Sequence, residues 1–250
     1  MINNRRNDSI VEREIARFMD EKLYSNKSLF KEFRRTDDKA EQISGSDVVL
    51  SSCDGVLDNS VVDEKVAARY ANTELNSFSL ELSFIDRNGN RREGWFIDKD
   101  KTTEYYLLGW VVKADIPFNE EDNRYDTDKI AYNNIRQLDW ALVSKKRIME
   151  FLEEKGWTIE RLMLQDKKIR ENGFVKTKDY INGVSFRYSD TYIEKPINIL
   201  LKKDTYMELA HMHGTITCDG MEEKEVGNDN RIILQSEIVN DTYTQCPYKK

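Results

Sequence analysis

The stretch that decides the fold is Gly45-Ser46-Asp47-Val48-Val49-Leu50, followed past Asp54-Gly55 by Val61-Val62-Asp63-Glu64-Lys65-Val66-Ala67. Both runs are short and rich in β-branched residues, and Asp-Gly is a turn signal, so they read as two strands of a hairpin. Side chains alternate between the two faces of a strand. Asp63 and Lys65 therefore share a face, and Glu64 takes the other. Asp47, at the start of the first strand, can lie beside Asp63 in the second. Two carboxylates and one ammonium then converge on one point of a sheet.

Upstream, Ser9 to Tyr24 reads as a helix, with Val11, Ile15 and Phe18 on one face and Ser9 with Glu12 as a capping box. Ser28 to Phe33 reads as a second, short helix. Downstream, Phe78 to Ile85 is a strand, Asn88-Gly89-Asn90 a turn, and Gly94 to Ile97 the returning partner. The unbroken apolar run Tyr105 to Val112 fits a buried central strand. Asp115 to Asp128 is an acidic loop, and Lys129 to Lys155 a long helical region that Gly156 stops. A further helix follows near Thr158 to Arg170. Strands are expected over Val184 to Tyr192 and Ile197 to Lys202, with Tyr206 to Ala210 open to either state. Ile232 to Val239 reads as a last edge strand. The fold class is α/β (α+β), with a core over 1–128 and a helical and β extension over 129–250 packed on it as one continuous domain.

Composition narrows the functional classes. The 250 residues carry 39 basic and 46 acidic side chains, a net charge of -7, which weighs against a strongly basic nucleic-acid surface but leaves room for a locally positive cleft. No apolar stretch approaches the roughly 20 residues of a membrane span. The polar start, Met1 to Asp8, carries no export signal, so the cytoplasm is the expected compartment. Three distant cysteines, Cys53, Cys218 and Cys246, argue against a disulfide framework and a thiolate zinc site, and are expected to be reduced. The two histidines, His211 and His213, have no third soft ligand near them in sequence. There is no P-loop, no G-x-G-x-x-G, no G-x-S-x-G and no H-E-x-x-H.

The convergent trio suits one kind of chemistry. Mg²⁺ is a hard cation that takes one or two carboxylates plus substrate phosphate. Asp47 and Asp63 would hold it, with the Glu64 carbonyl as a further oxygen and Mn²⁺ as a substitute ion. Lys65 would stabilise the developing negative charge or orient the attacking water.

The order Asp47, then Asp63-Glu64-Lys65 on the next strand, resembles the PD-(D/E)XK (restriction-endonuclease-like) nuclease superfamily, in particular its small phage and mobile-element members. Gln42 to Asp47, Phe78 to Leu82 and Gly94-Trp95 add to the likeness, which covers roughly residues 9–112. The resemblance implies an αβββαβ core with a mixed sheet flanked by helices. It implies Mg²⁺-dependent hydrolysis of phosphodiester bonds, in DNA first and RNA second. It also offers Glu12 or Glu14 as an accessory acid on the first helix and Gln42 as a polar residue near the site. Two positions depart from the pattern: no proline precedes Asp47, and Asp63 stands where Glu is commoner.

Beyond the trio, Glu81 is a candidate third acid, against the simpler reading of a solvated strand face. Arg87, Arg91 and Arg92 with Lys99 and Lys101 form a basic cluster that would grip phosphates, or else a solvated hairpin tip. Trp95, Tyr105, Tyr106 and Trp110 offer base stacking or core packing. A homodimer suits double-strand cleavage, which needs two active sites or two visits. The competing function is a non-catalytic nucleic-acid- or protein-binding protein that keeps the nuclease fold.

Overall fold

A computed structural model describes residues 4–36, 44–172 and 180–222. In chain order these residues form helix α1 (Asn4–Met19) and strands β1 (Phe30–Arg35), β2 (Val48–Ser52), β3 (Ser60–Val66), β4 (Ser77–Ile85), β5 (Arg91–Glu93), β6 (Tyr105–Ala114), β7 (Phe118–Asn119), β8 (Arg124–Tyr125) and β9 (Ile135–Ser144). Helices α2 (Lys145–Glu154) and α3 (Ile159–Asn172) follow, then β10 (Ser185–Tyr188), β11 (Ile197–Lys202), α4 (Lys203–Leu209), β12 (Met212–Thr217) and β13 (Gly220–Glu222). The class is mixed α/β. Among the described residues no helix is long and apolar enough to cross a membrane.

The chain divides into two compact units, each made of separated segments: residues 1–75, 103–143 and 210–250 in the first, and 76–102 with 144–209 in the second. The division therefore does not fall at residue 128, where the sequence alone placed it. In the first unit a mixed sheet runs in the order β1-β2-β3-β6-β9-β12-β13. Strands β1, β2 and β3 form an antiparallel meander, and β6 lies parallel to β3 with Asp63 opposite Tyr106 and Lys65 opposite Leu108. The expected hairpin is thus present, with Val48 opposite Val62. Val11, Ile15, Phe18 and Met19 of α1 are buried in one core with Val48, Leu50, Val62, Leu107 and Val111, so the helix covers the Val62–Glu64 face of the sheet. In the second unit an antiparallel sheet runs β10-β11-β4-β5.

Several expectations needed correction. The first helix begins at Asn4, so Ser9 lies inside it rather than capping it, and a π-helical stretch, Asp20–Tyr24, completes the segment. Residues 28–33 do not form a helix. Phe30 and Phe33 have helical spacing, but both stack against the buried Tyr24 ring from β1, at 5.7 and 5.5 Å. Pairing with β2 outweighs a weak local preference. Residues 135–144 are likewise strand β9, not helix. Ile135, Leu138 and Leu142 mimic a helical stripe, yet β9 lies inside the sheet between β6 and β12, and six of its ten residues are buried.

The partner of β4 is Arg91–Glu93 rather than 94–97. Gly94 is needed where it stands, because a Cβ there would lie 2.3 Å from the Glu81 carbonyl oxygen. Helices α2 and α3 fall where the sequence placed helix, and Gly156 ends α2 in the left-handed region (φ 77°). Cys218 is a free thiol, as expected, and Cys246 lies outside the described residues. The edge strand expected over 232–239 lies outside the described residues.

Candidate active site

The site is assembled on the first unit by backbone pairing. Gly45, at φ 85°, turns the chain into β2, and its carbonyl accepts a hydrogen bond from Thr103 Oγ1 at 2.8 Å. Asp47 is then held from both sides: its N–H donates to the Val62 carbonyl at 3.0 Å, and its carbonyl accepts from the Thr36 N–H at 2.9 Å. Its side chain turns to β3, where Asp47 Oδ2 accepts the Glu64 N–H at 2.9 Å.

Asp63 and Lys65 stand on the face of β3 opposite Glu64, as alternation requires. Lys65 Nζ forms an ion pair with Asp63 Oδ1 and lies 3.5 Å from the Glu64 carbonyl oxygen. Asp63 is only 4% exposed, and the Asp47 carboxyl is within hydrogen-bonding reach of it. Burial is the main force on Asp63 and raises its pKa. The Lys65 charge opposes that rise, and the Asp47 carboxyl adds to it, leaving Asp63 at about 7. Burial and the neighbouring Asp47 carboxyl thus favour the protonated form of Asp63. On β6, the buried Tyr106 faces Asp63 in register, and burial together with the Asp63 charge raises its phenol.

Glu64 occupies the other face and meets a charged cluster. Arg35 Nη1 and Nη2 donate to its two oxygens at 2.5 and 3.2 Å, and Tyr24 Oη donates to Oε1 at 2.5 Å. Arg35 Nε reaches both oxygens of Asp20 at 2.8 Å, and Nη2 also donates to the Ala16 carbonyl at 3.0 Å. Burial pushes Glu64 upward, and Arg35 and Tyr24 offset part of that rise. Burial opposes the Arg35 charge, but Glu64 and Asp20 overcome it and hold the guanidinium above its ordinary value.

The structure therefore brings together Asp47, Asp63, Glu64 and Lys65. The other sequence candidates have different surroundings. Glu14 accepts the Tyr132 N–H at 2.8 Å, fixing a loop to α1, and Glu12 is exposed on the same helix. Gln42 lies outside the described residues.

Glu81, Arg87, Arg91 and Arg92 belong to the second unit. There Glu81, Phe84, Asp86, Arg92, Trp95 and Lys101 help line a groove of about 560 Å³. Arg87 is exposed at the hairpin tip. Arg91 pairs with Asp166, a carboxylate 1% exposed that also meets Arg170 Nε at 3.3 Å and the Ser83 hydroxyl. Arg92 Nε pairs with Asp86 Oδ2 at 2.9 Å. Tyr106 and Trp110 are buried, while Trp95 and Tyr105 are partly exposed. His211 Nε2 lies 2.7 Å from Asp54 Oδ2 and is not joined with His213 in a ligand set.

Sequence reasoning missed Arg35, Tyr24, Asp20 and Tyr106 as neighbours of the site. The first three were hidden because β1 was read as helix. Among the described residues there is no group of three or more His, Cys, Asp or Glu side chains placed to hold a metal ion. The donor set of Asp47, Asp63 and the Glu64 carbonyl consists of hard oxygens, and two carboxylates are within what Mg²⁺ takes from a protein when phosphate and water complete the shell. A divalent ion there would also favour the ionised form of Asp63 that burial opposes. The residues fit such an ion. No protein-family model, no curated protein and no solved structure matches the chain.

Proposed function

We propose that the chain is a Mg²⁺-dependent nuclease that hydrolyses phosphodiester bonds, with DNA as its substrate and Asp47, Asp63 and Lys65 as its working residues. The observation that carries this reading is the meeting of two carboxyls and one ammonium on one face of β3, with Asp63 held at about 7 by burial and by Asp47. Perturbed acids beside a positioned cation are a mark of functional sites.

The order of elements supports it further. Helix α1 precedes an antiparallel β1-β2-β3 meander, and β6 lies parallel to β3, as in the αβββαβ core of the restriction-endonuclease-like class. One part departs from that class. Between β3 and β6 the described chain carries a short 3₁₀ turn, Ala68–Tyr70, and the β4–β5 hairpin of the second unit in place of a crossover helix.

When bound, Mg²⁺ supplies positive charge that acidifies a coordinated water and neutralises the scissile phosphate. The chain's own residues do the rest. Asp47, fixed by the Glu64 N–H, and Asp63 hold the ion. Lys65 Nζ, partly exposed, donates to a phosphate oxygen or to the attacking water as charge develops there. The acidic balance of the chain favours one competing reading, a binding protein of the same fold without catalysis.

The deciding experiment offers plasmid, linear and single-stranded DNA, and RNA, to the full chain with Mg²⁺ or Mn²⁺, alongside Asp63→Asn and Lys65→Ala. Metal-dependent cutting that both variants lose is the expected result. Cutting of RNA alone would move the substrate class. Binding to nucleic acid without cutting, unchanged by either substitution, would overturn the nuclease reading in favour of the binding protein.

A further inference from the structure

We infer that Arg35 is a positioning residue for the Asp47–Asp63 site, acting from the hidden face of the sheet through Glu64; this rests on the metal-site reading above. Glu64 touches both halves of the site by its backbone. Its N–H holds the Asp47 carboxylate at 2.9 Å, and its carbonyl lies 3.5 Å from Lys65 Nζ. The aim of those two groups depends on how β3 is rolled about its own axis. Glu64's side chain is the lever that sets the roll, since it projects from the opposite face and is clamped there.

The clamp is made by one guanidinium. Arg35 engages both Glu64 oxygens, both Asp20 oxygens and the Ala16 carbonyl, using all three of its nitrogens. Those partners lie on β3, on the π-helical stretch after α1 and on α1 itself. Tyr24 Oη adds a third donor to Glu64. A lysine carries the same charge but is a point donor on a flexible stem, unable to bridge two carboxylates in a fixed plane.

Packing alone gives no reason for this arrangement. The face around Glu64 is otherwise apolar, with Val48, Leu50, Val62 and Leu107 fully buried. A well-packed apolar side chain there would hold the sheet to α1 at least as well as a buried ion pair does. The cluster is explained if it fixes orientation. Residues that orient metal-holding groups from behind commonly change metal affinity by roughly 10–100-fold when altered.

The test is Mn²⁺ binding to the full chain without nucleic acid, followed by calorimetry and by the Mn²⁺ spin-resonance signal. Wild type, Asp63→Asn, Arg35→Lys and Ile15→Val are compared, with far-ultraviolet circular dichroism to check folding. Arg35→Lys is expected to weaken Mn²⁺ about tenfold or more while remaining folded. Ile15→Val, a core truncation under the same sheet face, is expected to lower Tm and leave Mn²⁺ affinity unchanged. Wild-type Mn²⁺ affinity in Arg35→Lys, with or without a lower Tm, would make Arg35 a purely structural residue and overturn the inference. If Arg35→Lys does not fold, Glu64→Gln supplies the same comparison, because it keeps the side-chain shape and the backbone N–H while ending the ion pair. Wild type binding Mn²⁺ no better than Asp63→Asn would remove the metal site itself, and with it both readings.

Discussion

Replacing Asp63 by Asn should stabilise the protein at neutral and alkaline pH and do almost nothing in acid. Asp63 keeps its proton up to about pH 7 in the folded chain, against an ordinary carboxyl value of 3.8. Between those values the folded state binds more protons than the unfolded state. Stability contributed by this group therefore falls as pH rises through the interval, by up to about 1.4 kcal/mol per pH unit, and levels off above about pH 7. The full interval corresponds to about 4 kcal/mol. Asn resembles the protonated acid in shape and cannot ionise. The gain on substitution should therefore grow from about 1 kcal/mol at pH 4.5 to about 4 kcal/mol at pH 8. Urea unfolding followed by fluorescence of the four tryptophans, at half-unit steps of pH, measures both chains. Their difference isolates position 63 together with its coupling to Asp47 and Lys65, because the more distant groups titrate alike in each. Parallel curves would refute the reasoning, since they would mean that Asp63 ionises in the folded chain as it does in the unfolded one. A gain that shrank as pH rose would refute it more strongly, because the Lys65 pairing would then outweigh burial.

Lys65→Ala should lower metal-dependent cleavage by about 10²–10³-fold, the loss typical for one preorganised donor to developing charge, while far-ultraviolet circular dichroism stays unchanged. Asp166→Asn should cost about 1–3 kcal/mol in urea unfolding, because it removes the buried carboxylate that Arg91, Arg170 and the Ser83 hydroxyl all meet. Gly94→Ala should destabilise the protein by about 3 kcal/mol, since the new methyl meets a backbone oxygen that has little room to retreat. A value below about 0.5 kcal/mol would show that the segment after β5 shifts freely away from β4.

How far the sequence could be read depended on the range of the interactions involved. The hairpin that carries Asp47 and Asp63 was legible because a turn signal and two β-branched runs lie within twenty residues, and alternation then placed Glu64 opposite Asp63 and Lys65. The parallel partner β6 was legible as a buried strand but not as the neighbour of β3, since that pairing spans about forty residues. Strands β1 and β9 were misread for a shared reason. Phe30 and Phe33, and likewise Ile135, Leu138 and Leu142, repeat at helical spacing, and only the strands beside them decide otherwise. That misreading hid Arg35, whose importance comes from partners fifteen and twenty-nine residues away. Arg91 and Arg92 looked like free phosphate contacts because the sequence does not show the acids at 166 and 86 that engage them.

The interleaving of the two units sets a schedule for synthesis. Strand β9 leaves the ribosome well before its neighbour β12, with almost seventy residues, nearly all of them from the second unit, made in between. At roughly 5–20 residues per second, the side of β9 that β12 will cover waits several seconds for its partner. During that interval Leu138, Trp140 and Leu142 form part of an unfinished apolar border, the kind of border that recruits strands from neighbouring nascent chains. A slower ribosome or a crowded polysome lengthens the exposure, so yield on overexpression should depend on elongation rate between codons 144 and 212 more than on the thermodynamic stability of the finished protein.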